Sequence, residues 1–295
     1  LIITNEQIQN SGEHVMSLAF LDPAYHDTAR LMRDMHKAGE LVTAVDLDNT
    51  LGDARNGWVP GDHQPEPDYD LVMSLRELNK QNGGRTAIIT GRPKRFVDSA
   101  LPGVHLWTAT EQGCVIHTPN GTEMSRQAVI HMDLLREAVE VCERKYGGRI
   151  EAFKTATMTF EFTQVEGAVR LAPTIANDIE AAIREHDPDQ LVEVVSIAKP
   201  ENCAIEILPS GINKRFALDI MTKRVQVFHN AAWAYFGDNN SDTPVMDKLK
   251  ANRHHQGFIG WVGAEVPKRY RDYERTIHLR EPSDTRQLLR FMIAG

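Results

Sequence analysis

The segment LVTAVDLDNTLGD (residues 41–53) ends an apolar run, Leu41, Val42, Ala44 and Val45, in two carboxylates, Asp46 and Asp48. Side chains alternate along a strand, so both acids project to the same side. Like charges that close repel, and each is costly to desolvate. Three further stretches carry groups of matching chemistry. AIITGRP places Thr90 at the end of a second apolar run, GINKRF puts Lys214 at the start of a helix, and AYFGDNNSD ends a third run in Asp238 and Asp242. Four acids, a hydroxyl and a lysine suit phosphoryl transfer through an aspartyl intermediate, in which one acid of the pair attacks and the other handles the proton. Asp46, Asp48, Asp238 and Asp242 can share one site only beside a hard cation, and all-oxygen ligation favours Mg²⁺. Such a cation also screens an anionic nucleophile from an anionic phosphate. Thr90 offers a neutral donor and Lys214 a positive charge to the phosphoryl oxygens.

For these groups to meet, their strands must lie side by side in a parallel sheet, whose C-terminal edges line the ligand crevice. The pattern of elements agrees. A helix is expected over 23–37 and another over 69–79, with RTAIIT as a short buried strand between turns. Beyond TEQGCVIHTPNGTEM the texture changes. Residues 128–145 read as a helix, EAFKTATMTFEFTQV as a pair of alternating strands, 172–186 as a helix, and LVEVVSIA and CAIEILP as two more strands. The α/β rhythm resumes at Lys214 and continues through AWAYF, a helix from Asp242, GFIGWVG and RTIHL to a last helix opened by a capping box of Asp284 with Gln287. The expected fold is α/β, a Rossmann-like core over 40–125 and 207–295 with an inserted α+β cap over 126–206. Residues 1–39 form a lead-in with one helix.

The bulk properties bound the partners. The chain has 295 residues, 41% hydrophobic and 25% charged, with a net charge of −8 and a pI of about 5.8. That balance argues against non-specific nucleic-acid or anionic-membrane binding, and no apolar run approaches the ~18 residues of a membrane span. Cys114, Cys142 and Cys203 have no metal-ligand spacing and leave one unpaired in any disulfide scheme, which fits a reducing compartment. No secretory leader is legible, and a cytoplasmic location is the expectation. His63, His105, His117, His254 and His255 are scattered and read as surface groups, as does the acid-interleaved RYRDYER.

DLDNT, IITGR, NK and GDNNSD resemble, in order, the four motifs of the haloacid dehalogenase superfamily of phosphohydrolases. The resemblance implies Asp46 as nucleophile and Asp48 as acid then base, with the Asp48 backbone carbonyl on Mg²⁺. It also implies that Asp238 and Asp242 complete the metal site, with Thr90, Gly91 and Lys214 on phosphate. The interval from Asp46 to Thr90 holds little more than a strand, a loop and a helix, whereas that from Thr90 to Lys214 far exceeds a crossover. A cap there resembles the sugar-phosphatase branch, and most of all the trehalose-6-phosphate phosphatase family. TEQGCVI is similar to its A-E-H-G-A, IEAFK to its E-x-K, and AIEILPSGINK to its E-x-x-P-x-G-x-x-K. Gln112 replaces the family's His, Arg215 its usual Gly, Glu161 stands near a usual His, and GDNNSDTPVM leans toward generic sugar phosphatases. The implied substrate surface is Arg92, Glu111, Gln112, Gly113, Glu151, Lys154, Glu206 and Asn239, and the implied ligand a small sugar phosphate. Sucrose-phosphate and mannosyl-3-phosphoglycerate types, and a non-catalytic sugar-phosphate-binding homologue, stay open.

Overall fold

The computed structural model describes residues 17–52, 65–126, 132–200, 202–252 and 257–294. In chain order it comprises α1 (His26–Lys37), β1 (Leu41–Val45), α2 (Tyr69–Gln81), β2 (Thr86–Ile89), α3 (Lys94–Ala100), β3 (Trp107–Thr110), β4 (Val115–His117) and β5 (Glu123–Arg126). Then follow α4 (Met132–Tyr146), β6 (Arg149–Ile150), β7 (Met158–Glu161), α5 (Ala168–Arg184), β8 (Val192–Lys199) and β9 (Asn202–Pro209). The chain ends with α6 (Lys214–Arg224), β10 (Ala232–Gly237), α7 (Thr243–Ala251), β11 (Phe258–Val262), α8 (Lys268–Arg271), β12 (Thr276–Leu279) and α9 (Pro282–Ile293).

Among the described residues the larger sheet runs β12-β11-β10-β1-β2-β3-β4-β5, parallel as far as β3 and antiparallel from β3 to β5. Its central strand β1 is buried along its whole length because both faces are covered. Leu41 and Val45 pack into a cluster with Leu75, Phe96 and Leu288 on one face, while Val42 and Ala44 meet Leu218, Met221 and Val245 on the other. Period-two alternation in one short strand thus glues two helix layers to a single sheet. The smaller sheet, order β6-β7-β9-β8, is antiparallel. Phe160, Ile205 and Ile207 bury against Val139, Ile175 and Ile179 of α4 and α5. The alternate residues Thr159 and Glu206 are cross-strand neighbours and occupy the opposite face.

Several elements differ from the sequence reading. EAFKTATMTFEFTQV yields one strand, β7, because Glu151–Thr157 is looped: Phe153 has φ 67°, and the Thr155, Ala156 and Thr157 amides turn to a side chain instead of a neighbouring strand. Helix α5 begins at Ala168, four residues before expected, since Gly167 at φ 71° opens it and Ala168, Ala172, Ile175 and Ile179 form one buried stripe through Pro173. The last helix starts at Pro282; Asp284 lies inside it and accepts from the Arg280 amide at 2.9 Å, so no capping box with Gln287 opens it. Strand β9 runs unbroken across the expected boundary at 206/207, its Ile207 still paired with Met158. His117 and Tyr270, read as surface groups, are buried. His63, His254 and His255 lie outside the described residues. No helix among the described residues is long and apolar enough to cross a membrane.

His36 on α1 is fully buried, and neither ring nitrogen has a hydrogen-bond partner among the described residues. Burial, reinforced by Lys37, pushes its pKa down to about 4. Between the unfolded value near 6.5 and about 4, the unfolded chain binds a proton that the folded chain refuses, so stability falls as pH falls through that window. Urea midpoints of His36→Phe measured from pH 7 to 4 are expected to fall less steeply than those of the wild type; parallel curves would contradict the burial argument.

Candidate active site

Registry brings the acids together. β1 pairs with β10 so that Val45 lies beside Phe236, and the Asp46 amide donates to the Phe236 carbonyl at 2.9 Å. Asp46 therefore emerges next to Gly237 and Asp238. A Cβ on Gly237 would stand 2.4 Å from the Asp242 carboxylate, which is why glycine occupies that position. Lys214, the first residue of α6, is held there by the Asn213 cap, whose side chain accepts from the Arg215 amide. Its Nζ lies 2.9 Å from Asp46 Oδ2 and 2.8 Å from Asp242 Oδ1. The Tyr235 hydroxyl donates to the same Asp242 oxygen at 2.6 Å, and Asp242 Oδ2 accepts from the Asp238 and Asn239 amides, each at 3.1 Å.

One atom is left over. Asp46 Oδ1 is buried and has no hydrogen-bond partner among the described residues. Burial pushes the Asp46 carboxyl up to about 7, with Lys214 opposing and Asp242 and Asp48 adding to the rise. Asp238 is also pushed well above the ordinary carboxylate value by burial and by Asp242 and Asp46. Burial alone would lower Lys214, but Asp242 and Asp46 outweigh it and hold the ammonium charged. The cluster is therefore short of positive charge. Asp46, Asp238 and Asp242 each offer a carboxylate oxygen, all within 4.8 Å of one another, a hard all-oxygen donor set that fits Mg²⁺. The carboxylate of Asp48 is not part of this set.

Asp48 instead meets Arg92, whose Nε and a terminal nitrogen contact its two oxygens at 2.8 and 2.6 Å, the bidentate fork of a guanidinium on a carboxylate. The remaining Arg92 nitrogen, Nη1, lies 3.8 Å from Glu151 of the smaller unit. Glu151 pairs with Lys154 at 2.9 Å, and Lys154 donates to Thr159 at 2.5 Å. Gln112 donates to both carboxylate oxygens of Glu206, at 3.0 and 3.1 Å. Thr90 is buried and accepts from the Arg92 amide at 3.2 Å. Gly91 packs beneath Gln112, where a Cβ would approach Nε2 to 2.7 Å. Arg92, Gln112, Glu151, Lys154 and Glu206 thus gather where the two sheets meet.

Three of the expected substrate residues are engaged by neighbouring parts of the chain. The Glu111 carboxylate is buried and accepts from backbone amides and hydroxyls of residues 155–157, four bonds on Oε2 and one on Oε1. Asn239 bonds within its own loop, to Asp238 and the Ser241 amide. Gly113, at φ 92°, packs its backbone against Asn213 and Lys214 rather than presenting a side chain. Sequence reasoning missed Tyr235, although a hydroxyl-bearing ring in the otherwise apolar AWAYFG was a legible signal for a buried polar partner.

Lys214→Ala leaves Asp46 and Asp242 buried without their cation. Urea denaturation is expected to show a loss of about 3–5 kcal/mol; an unchanged midpoint would mean the ammonium is not what neutralises the cluster.

No family model matches the sequence, and no curated protein does. Solved structures do match in fold. The C-terminal domain of Candida albicans trehalose-6-phosphate phosphatase superposes with a TM-score of 0.65 at 18% identity, over 90% of this chain and 96% of that one. Aspergillus fumigatus trehalose-6-phosphate phosphatase gives 0.55 at 21% identity, over 90% and 97%. A haloacid dehalogenase-like hydrolase from Bacteroides thetaiotaomicron gives 0.56 at 14% identity, over 83% and 95%. With its strand order, its antiparallel second sheet and these superpositions, the chain has the haloacid dehalogenase-like hydrolase fold, in a form shared with trehalose-6-phosphate phosphatases.

Proposed function

We propose that the chain is a Mg²⁺-dependent phosphomonoesterase that hydrolyses a sugar phosphate through an aspartyl-phosphate intermediate, with trehalose 6-phosphate as leading substrate. The observation that carries this reading is the asymmetry of Asp46: one oxygen is bound to Lys214 and the other is buried without a partner beside Asp238 and Asp242. A carboxylate presented in that way is a nucleophile held in place. Asp46 Oδ1 attacks phosphorus, and the bond from phosphorus to the sugar oxygen breaks. Asp48, ionised in the Arg92 fork as it stands, serves as the acid only once one of its oxygens leaves the fork and takes up a proton from solvent. It then gives that proton to the departing oxygen and takes one back from the water that cleaves the aspartyl phosphate. Thr90, just past β2, and Lys214, the first residue of α6, would meet the phosphoryl oxygens. Mg²⁺ held by Asp46, Asp238 and Asp242, with the Asp48 carbonyl, would offset the negative charge of nucleophile and phosphate.

The smaller sheet with α4 and α5 serves as the cap. Glu151, Lys154 and Glu206 face the core from its polar side, where carboxylates suit recognition of sugar hydroxyls, each charged hydrogen bond contributing roughly 1.5–3 kcal/mol. The fold likeness to two trehalose-6-phosphate phosphatases supports that sugar first.

Phosphate release over a panel containing trehalose 6-phosphate, sucrose phosphate and mannosyl-3-phosphoglycerate, with Mg²⁺ present, tests the reading directly. EDTA is expected to abolish turnover and added Mg²⁺ to restore it, and Asp46→Asn to lower kcat by several orders of magnitude. Full activity of that variant would sink the mechanism. Glu151→Ala and Glu206→Ala are expected to lose ~10-fold or more in kcat/KM on the true sugar phosphate but little on p-nitrophenyl phosphate. Equal losses on both esters would assign these acids to the fold.

A further inference from the structure

Glu111 is the most heavily engaged carboxylate among the described residues outside the acid cluster, and it crosses between the two sheets. Its Oε2 accepts from the backbone amides of Thr155, Ala156 and Thr157 at 2.8, 2.7 and 2.9 Å, and from the Thr157 hydroxyl at 3.3 Å. Oε1 accepts from the Thr155 hydroxyl at 3.0 Å, and that hydroxyl in turn accepts from Arg126 at the end of β5, also at 3.0 Å. Three consecutive amides converging on one oxygen form an anion-binding concavity, here filled by a side chain from the other unit.

The backbone that delivers Glu111 is strained. Glu111 and Gln112 both have positive φ, 53° and 59°, and Gly113 continues the left-handed turn at 92°. Two successive non-glycine residues in that region persist only where surrounding contacts over-determine them. The turn sends Glu111 to residues 155–157 and Gln112 to Glu206, so one three-residue kink at the end of β3 grips the smaller unit twice. The gripped segment follows directly on Glu151, Phe153 and Lys154. Phe153 is itself at φ 67°, with its ring under Arg95 of α3 at 4.0 Å.

We propose that Glu111 is a positioning residue: by pinning residues 155–157 to the edge of the core sheet it sets where Glu151 and Lys154 stand, and so governs sugar selectivity without touching the sugar. The selectivity half of this proposal rests on the reading of Glu151 and Lys154 as sugar-facing; the pin itself does not.

The test pairs amide hydrogen exchange with kinetics on the full chain, wild type against Glu111→Gln, which keeps shape but turns an amide nitrogen toward donors. Exchange at 155–157 is expected to rise at least ~10-fold while β10 keeps its protection. KM for the sugar phosphate is expected to rise ~10-fold, with kcat on p-nitrophenyl phosphate within about twofold. Unchanged exchange at 155–157, or protection lost throughout the core as well, would overturn the proposal. Raised local exchange in a chain that hydrolyses no ester would uphold the pin and defeat the phosphatase reading instead. Should the Gln variant fail to fold, Glu111→Asp, which retains charge but shortens the reach, is judged by the same readouts.

Discussion

The Lys214 ammonium lies between Asp46 and Asp242 at hydrogen-bond distance from both, fully enclosed, and much of the surrounding architecture exists to keep it there. Removing an ammonium from water is costly, and only close opposite charge offsets it. That requirement fixes the register of β1 against β10, because a slip by one residue would turn Asp46 to the other face. It demands a glycine at 237, where any side chain would displace Asp242. It also explains why Tyr235 and two backbone amides join Lys214 on Asp242 and fix the orientation of that carboxylate, while Asp46 retains an idle oxygen. Lys214 stands at the first position of α6, the end of a helix that disfavours a cation, so the two carboxylates must offset that field as well as the desolvation.

A line of alternating charge extends from this centre to the smaller sheet: Asp48, Arg92, Glu151, Lys154. Each member is flanked by opposite charge, and Arg92, Glu151 and Lys154 are buried. In a low-dielectric seam such a series is rigid only while complete, since every group depends on its neighbour for the offset to its desolvation. The seam between the units thus carries a charged series beside one small apolar cluster of Cys114, Val115, Ala156 and Ile212. This contrasts with the interiors of the two units, where Phe, Ile, Leu and Val dominate.

How much of this was legible in sequence follows from the range of the interactions. The acids and Thr90 sit at the ends of apolar runs and Lys214 at a helix start, both local signals, and the parallel sheet follows from strand–helix alternation. The structure brings Asp46, Asp238, Asp242 and Lys214 to one place. What sequence could not supply were non-local choices. Glu151–Thr157 alternates like a strand, but its amides are claimed by Glu111, which stands far away in the chain. Arg92 follows a strand end in the manner of a ligand-facing residue, yet its fork is set on Asp48. Helix α5 starts ahead of the expected position because one apolar stripe carries it through Pro173, a residue ordinarily confined to the first turn.

Strand β9 belongs to the smaller sheet as far as Pro209, and Asn213, the cap of the helix bearing Lys214, comes only four positions later. Between them the Ile212 amide bonds back to the Pro209 carbonyl, so this joint has almost no slack. The two units are consequently unequal in how they tolerate changes in chain length. Residues 185–191 connect α5 to β8; Asp187 holds their end through the Leu191 and Val192 amides, and Ser210 donates to the Gln190 and Leu191 carbonyls, so only the start of this loop is clear of the joint. Extra residues there would lengthen a surface excursion. A single residue added in 210–212 would rotate Lys214 away from Asp46. Length changes are therefore better tolerated along the outer loops of the smaller unit than in the passage from β9 to α6.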